Sequence, residues 1–529
     1  MGGFVKMNFD LIRVWKEKIP KRIWLCFGTG MISGWITHFY MLTNKLTNWD
    51  DVHNIDSYGG GADFGRWMLE FIHGYAGEYS VPAIHGMIMI ICLAISSCLI
   101  VDMLHLQSET AAVMVPLIMM TFPSVGCTLT FMFTAHTYGL AVLLMTGAVW
   151  LLRKYRFGWI PCFFMLLCGL GIYQSYICIA IVLMLIGLLM DLIEGTKNKQ
   201  TIQKGAICIA ELLVSVMVYQ KLVHVFFQDF SNEHYGGIDQ MGQIAISEIP
   251  VLVGRCYKRF LEFFLWKPFS FANQTMQICN IAVCILCVGL GIYLFWNKKL
   301  YQDILKSVFY VVIAGLIPLG AAFIYLMAPE ANYSMLMLYA YALIYVLLLV
   351  LWEQSTVRFR VLTNQWKKGI AYTVTIAVLG ITLLSSYQNY LLMNTAYFRT
   401  QIASERVKSY YTRLVAYIEA NEEYKAGDKF QILGEFHYLD NPSYIEADVV
   451  DTERFRELSG IALENGLLTS GIRSEFLEIY LGVTEANLEP DEINVIMDSE
   501  EYKNMACYPQ DGCFKKINDV WILKICNNE

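Results

Sequence analysis

Two adjacent carboxylates, Asp50 and Asp51, stand in the stretch NWDD (48–51), a few residues past the first long apolar run. An aspartate with a pKa near 4 is ionised at neutral pH and can take a proton from a positioned hydroxyl. The plainer role for such a pair is to cap a turn or a short helix. Arg66 follows in the same polar, glycine-rich loop (48–80). There it either snorkels to lipid headgroups or grips a phosphate through two parallel hydrogen bonds. A third group lies in VGRCYKRFLEFFLWKPFSF (253–271). Arg255, Lys258 and Arg259, at i, i+3 and i+4, share one helix face, beside the apolar surface of Phe260, Phe263, Phe264 and Trp266. That combination suits a lipid with a phosphate head, and equally a simple headgroup anchor. Asp56 and Asp63 are the carboxylates that a covalent sugar intermediate would call on. His85 and His136 read as packed or capping histidines.

These residues need elements to hold them, and the composition says which kind. The chain is 56% hydrophobic and 16% charged over 529 residues, far more apolar than a soluble domain. A membrane span takes roughly 17 to 25 apolar residues. On that rule helices fall near 23–42, 81–101, 110–130, 136–152, 205–226, 272–296, 305–327, 333–352 and 369–387. The run 159–193 is too long for one span and divides at GIYQSY (171–176), near Gln174, into two short helices, which makes eleven in all. Within the loop 48–80, Phe64, Trp67, Met68, Phe71 and Ile72 fall on one face of a helix lying in the membrane interface. The basic N-terminus carries no small-residue cleavage site and reads as preceding a retained first helix.

Basic loops mark the cytoplasmic side. RKYR (153–156), KNKQTIQK (197–204), NKK (297–299) and VRFRVLTNQWKK (357–368) alternate along the chain as an inner N-terminus requires, and DMLHLQSE (102–109) is the exception. The Asp50 loop, the segment 227–270, APEANYS (328–334) and the tail are then extracytoplasmic. Basic residues are scarce on that side, so the cluster at 255–259 asks for an anionic partner. Glu211 is the clearest charge inside a span, and it lies near an inner end.

The net charge of −7 hides a division, for residues 401–529 hold 12 Lys and Arg against 25 Asp and Glu. An acidic, water-facing end makes nucleic acid an unsuitable partner. The segment 394–424 reads as a linking helix and 425–529 as a small α+β domain, with strands at KFQILGEF (429–436), INVIMD (493–498) and VWILKI (520–525). Most of the 15 cysteines fall in apolar runs, where Cys packs as a small hydrophobe. Cys507 and Cys513 could pair in an oxidising space.

The order of pieces resembles a known family. DD followed by GRW (65–67), TFPSV (121–125), HTYGLAVLL (136–144), GIYQSYI (171–177) and a tail ending MACYPQDGCFKKINDVWILKI (505–525) are similar to the bacterial glucosyl transferase II family, in the GT-C superfamily of multi-span glycosyltransferases. The resemblance implies an all-α polytopic membrane domain over 1–393. It also implies transfer of a sugar, usually glucose, from a polyprenyl-phosphate carrier to a hydroxyl of a cell-envelope glycan, on the outer face of the bacterial plasma membrane. In that superfamily an Asp of the first outer loop is the general base, a role that falls here to Asp50 or Asp51, and the match at Arg66 suggests a phosphate or orienting role. No resident cofactor is implied, and the sequence leaves a divalent metal open. A sugar on a lipid phosphate needs no nucleotide, which agrees with the lack of a glycine-rich phosphate loop. A flippase for lipid-linked sugars would use charges near the bilayer midplane, and a polysaccharide polymerase would join repeat units with a similar span count.

Overall fold

The computed structural model describes residues 17–526, apart from 47, 58, 62–64, 227–244, 267–268, 330–333, 357–364, 426, 436–457 and 459–467. Asp63, Phe64, Lys267 and the loop 234–242 lie outside the described residues. Helices dominate. In chain order they are α1 (Lys21–Thr43), α2 (Trp49–His53), α3 (Leu69–Ile72), α4 (Pro82–Met103), α5 (Glu109–Thr121), α6 (Pro123–Leu129), α7 (Met132–Lys154), α8 (Trp159–Ile172), α9 (Ile177–Ile193), α10 (Asn198–Phe226), α11 (Ile249–Leu261), α12 (Gln274–Asn297), α13 (Ile304–Ala321), α14 (Ile324–Met327), α15 (Ala342–Thr356) and α16 (Gln365–Glu419). In the tail, β1 (Phe430–Leu433) precedes α17 (Ser470–Leu481), α18 (Pro490–Asp498), α19 (Glu500–Lys503), β2 (Phe514–Ile517) and β3 (Val520–Lys524).

Among the described residues eight helices are long and apolar enough to cross a membrane, or nine if α5 and α6 count as one bent span. The expected eleven is therefore not reached, and each shortfall has a local cause. Phe122 precedes Pro123, so it is held extended at φ −61°, ψ 136°, and α5 and α6 bend by 47° there. α8 has only 14 residues and stops at an extended Tyr173, with a single 3₁₀ turn (Gln174–Tyr176) before α9, the break expected at GIYQSY. α1 is long enough, but it turns polar groups inward. His38 bonds the hydroxyl of Tyr397 through Nδ1 at 2.8 Å and the carbonyl of Met120 through Nε2 at 2.9 Å. Its outer face shows Ile32, Trp35, Ile36 and Phe39, as a lipid-facing surface should.

α9 and α15 form the buried centre, while α10, α12 and α13 keep most of their surface outside the packed core. α16 replaces the expected separate span and linking helix with one unbroken helix of 55 residues, roughly 80 Å long at 1.5 Å per residue. Between Ile381 and Glu419 it contains neither Gly nor Pro, so nothing in the sequence interrupts it as it passes from the bundle into the tail.

The tail sheet has the order β1-β3-β2, with Phe430 opposite Trp521 in parallel and Phe514 opposite Leu523 antiparallel. Asn518 and Asp519, both at positive φ, make the two-residue turn that joins β2 to β3. Two expectations need correction. INVIMD (493–498) is helical, not a strand: Pro490 fits the first turn of α18, and Glu489 with Glu492 closes a reciprocal cap. Cys507 pairs with Cys526, not with Cys513, across a Cα separation of 5.7 Å. The reason is strand register. The Tyr508 N–H donates to the carbonyl of Lys524 at 2.9 Å, which sets Cys507 beside the end of β3, while Cys513 is buried ahead of β2.

Candidate active site

The start of α1 and the end of α4 lie together, since Lys21 reaches Glu109 across 3.4 Å at the head of α5. The same end collects Asp102, Arg153, Lys154, Asp191 and Lys204, so three of the loops expected on the inner side meet in space. Lys154 pairs with Asp102 at 2.7 Å, and Arg153 and Lys204 both reach Asp191, at 3.3 and 2.9 Å. Helix α2 sits at the opposite end.

α2 is five residues long, too short to persist by itself. Asn48 caps it: its Oδ1 accepts the Asp51 N–H at 2.9 Å, and its Nδ2 donates to the carbonyl of Thr130 at 2.8 Å. Trp49 meets Phe131 edge to face, centroids 6.3 Å apart. Successive residues of a helix point about 100° apart, and here the two aspartates part company. Asp51 is fully buried and ion-paired with Lys45. It accepts from the Ser80 hydroxyl at 2.9 Å and from the Phe133 N–H at 3.3 Å. Lys45 also donates to the hydroxyl and the carbonyl of Ser80, at 2.8 and 3.1 Å. Asp50 is half-buried. Burial raises its carboxyl above the ordinary aspartate value, the positive fields of Arg66 and His53 oppose that, and Asp51 adds to it. A carboxylate made more basic but left partly open is suited to accept a proton, whereas Asp51 has its oxygens committed to the fold.

The GRW stretch docks on the break between α8 and α9. Gly65 has φ +69°, and a Cβ there would stand 2.6 Å from the hydroxyl of Tyr219. That hydroxyl donates to the Gly65 carbonyl at 3.0 Å and accepts from Gln174 Nε2 at 2.8 Å. A side chain at 65 would therefore meet both a strained backbone and an occupied space. The Met68 N–H donates to the Gly171 carbonyl at 2.9 Å, and the ring of Trp67 lies where a Gly171 Cβ would be. Between these two anchors Arg66 is half-buried, its guanidinium 5.3 Å from the centre of the Tyr173 ring. The expected interfacial helix is reduced to α3 and a 3₁₀ turn. Trp67, Met68 and Ile72 pack against the core while Phe71 is exposed, so the apolar residues do not share one outward face.

Below Tyr219 an apolar groove of about 810 Å³ runs between α9, α10 and α13. Its walls include Met184, Leu188, Leu212, Ile313 and Leu316, and at the Tyr219 end Gln220 and Met327. The basic helix α11 lies against the segment that carries Met327. Arg255 donates to the carbonyl of Pro329 at 2.9 Å, and the Arg259 guanidinium is 5.9 Å from the Tyr325 ring. Arg255 is half-buried there. Arg259 pairs with Glu262 at 3.1 Å and Lys258 with the same carboxylate at 4.0 Å, both well exposed.

A second cavity of about 260 Å³ has polar residues in its lining, Asp56, Ser57, His73, Ser80, His85 and His136, beside Phe133 and Tyr79. The rings of His85 and His136 are 4.3 Å apart and His136 Nε2 is 3.1 Å from the His73 carbonyl, so both are packed, as expected. Glu211 is buried on α10. Among the described residues no group of three or more His, Cys, Asp or Glu could hold a metal ion; the pair Cys284 and Cys287 in α12 belongs to no such group.

Ser80 and Tyr219 escape a reading of the sequence because their partners lie far along the chain, and Lys45 because its six-residue separation from Asp51 matches no regular periodicity. Only the Asn48 cap, three residues before Asp51, leaves a local signal. No curated protein and no solved structure matches the chain. Residues 39–352, more than half of the sequence, match the family described as glucosyl transferase GtrII. That span starts within α1 and takes in α2, the GRW loop, both walls of the groove and α11, so this membrane-helical chain belongs to the glucosyl transferase II family of glycosyltransferases.

Proposed function

We propose that the chain moves a glucosyl group from a polyprenyl-phosphate carrier to a hydroxyl of a cell-envelope glycan, at the extracytoplasmic face of the plasma membrane, by a single inverting displacement. The observation that carries this reading is the apolar groove, whose outer end meets Tyr219, next to Arg66, and the segment against which Arg255 and Arg259 are packed. An apolar slot leading to guanidinium groups matches a ligand made of a long hydrocarbon chain and a phosphate. In this arrangement the acceptor oxygen attacks the anomeric carbon, Asp50 takes its proton, and the bond to the phosphate oxygen breaks with its electron pair. Arg66, and from the other wall Arg255, stabilise the departing phosphate, with Lys258 and Arg259 drawing the anionic head to the mouth. Asp51 holds the loop and takes no part in proton transfer. The membrane face rests on the basic loops gathered at the opposite end and on the Cys507–Cys526 disulfide in the tail, which suits an oxidising space.

The test uses purified protein in lipid nanodiscs with synthetic glucosyl polyprenyl phosphate and envelope glycan. The expected product is a glycan one hexose heavier, of opposite anomeric configuration to the donor. Movement of the lipid-linked sugar across vesicles with no glycan product would replace this reading with a flippase.

A further inference from the structure

We propose that the C-terminal domain is a positioning element for the transfer reaction, holding Asp50 in place through Val52 and through the pair His53 and Glu475. The inference rests on the reading of Asp50 as the base, and it concerns a part of the chain beyond the family-matched residues 39–352.

Three consecutive residues of α2 face three surroundings. Asp51 is locked into the bundle by Lys45, Ser80 and Phe133. Val52 is fully buried, and its neighbours are not in the bundle: it belongs to the apolar cluster of the tail, with Val407, Tyr411, Phe476 and Leu477. His53 Nδ1 is 2.7 Å from Glu475 Oε1 on α17. Asp50 is the residue left between these two attachments. A helix of five residues has no stability of its own, so the direction in which Asp50 points is set by what grips its neighbours. A displacement of about 1 Å at a reacting group can cost about a hundredfold in rate.

The grip from the tail side is itself stiff. Arg473, two residues before Glu475, is buried against Glu485 and donates to the carbonyls of Ile432 and Gly434. Glu485 in turn accepts the Ile432 N–H at 2.7 Å. These bonds fix α17 to β1, and Tyr411 and Val407 tie the same cluster to α16, which returns to the bundle. The catalytic loop is therefore clamped between bundle and tail, and a shift of α17 is felt at Asp50 before it is felt at the groove.

The experiment measures kcat, and KM for donor and acceptor, on the full-length protein in nanodiscs. His53→Glu places two carboxylates opposite one another, and Glu475→Lys removes the acceptor that His53 Nδ1 meets; together they set an opposite-charge pair in the same place. Each single variant is expected to lower kcat by about three- to tenfold with donor KM unchanged, and the double variant to recover most of the loss. Val52→Asn, which buries an amide among apolar side chains, should lower kcat at least about tenfold. Single variants with normal kcat, or a double variant as slow as the worse single, would overturn the clamp. Asp50→Asn is run beside them. If it is inactive while the swaps leave kcat alone, only the clamp falls; if it keeps normal kcat, the base reading falls and the clamp with it.

Discussion

The two ends of the bundle use charge in opposite ways. At the end where the basic loops meet, Asp102, Arg153, Lys154, Asp191 and Lys204 satisfy one another at 2.7 to 3.3 Å. At the other end Asp51 is likewise spent on Lys45, but Asp50, one residue away, is left half-buried with its basicity raised. Buried charges that are paired describe structure, and a perturbed carboxylate with an open side describes a site. The comparison teaches that the number of charges at an end says little; what matters is which of them keep an unspent lone pair or donor.

The sharpest way to break this contrast is to neutralise the two aspartates one at a time. Asp50→Asn is expected to lower kcat by about 10² to 10⁴, the usual contribution of a positioned base, with normal insertion in the membrane. Its effect on stability has the opposite sign to that of a paired carboxylate. A carboxyl whose folded pKa is raised holds its proton more tightly folded than unfolded, so it costs stability as pH rises from the unfolded value through the folded one. Asparagine escapes that cost, and thermal melting at neutral pH should not fall. Asp51→Asn leaves Lys45 without its counter-charge in a largely buried place, and the expected loss is about 3 kcal/mol of stability. It should appear as a lower melting temperature, with residual kcat in the molecules that remain folded. If Asp51→Asn melted normally and abolished transfer, the roles of the two would be exchanged.

At the paired end the expected effect is smaller and confined to the fold. Arg153→Gln keeps Lys204 on Asp191 while removing one charged hydrogen-bonding partner, a change worth about 1.5 kcal/mol. Melting should fall while kcat and both KM values stay within about twofold. A selective loss of kcat there would mean that this end also takes part in the chemistry.

Much of this architecture is legible in the sequence, and the misses have identifiable causes. Apolar length found the eight helices that qualify as spans, and Gly171 and Gln174 marked the break between α8 and α9, whereas the bend at Pro123 went unread inside one expected span, although a pre-proline position acts within one turn. INVIMD failed because alternation over six residues competes with a Pro and a capping glutamate just upstream, and the cap won. The paired cysteines were misjudged since spacing carries no strand register. Asp50 and Asp51 could not be told apart from one another, because the difference is made by Lys45, Ser80, Phe133 and the tail, at separations no periodicity encodes. Arg255 kept a half-buried place near the groove, and with Arg259 it meets the segment of Tyr325 and Pro329, while Lys258 and Arg259 also share Glu262, partners that their spacing alone does not reveal.

The finest test of the contrast concerns Arg66, which lies close enough to Asp50 to oppose the effect of burial on its carboxyl. Removing the positive charge takes away a force that favours the ionised form. In Arg66→Gln the Asp50 carboxyl should therefore hold its proton to a higher pH than in the parent, and the acidic limb of kcat/KM should move upward in pH. Arg66→Lys keeps the charge and should keep the limb, although it loses the planar fork that suits a phosphate. The two variants separate two roles: a fall of the plateau in both reports the phosphate grip, and movement of the limb in Gln alone reports the field on the base. The limb shift is the smallest effect expected, since at pH values on the plateau Asp50 is ionised with or without Arg66. If the limb stayed in place in Arg66→Gln while the plateau fell, Arg66 would serve the donor phosphate only, and His53 would be left as the positive neighbour that tunes Asp50.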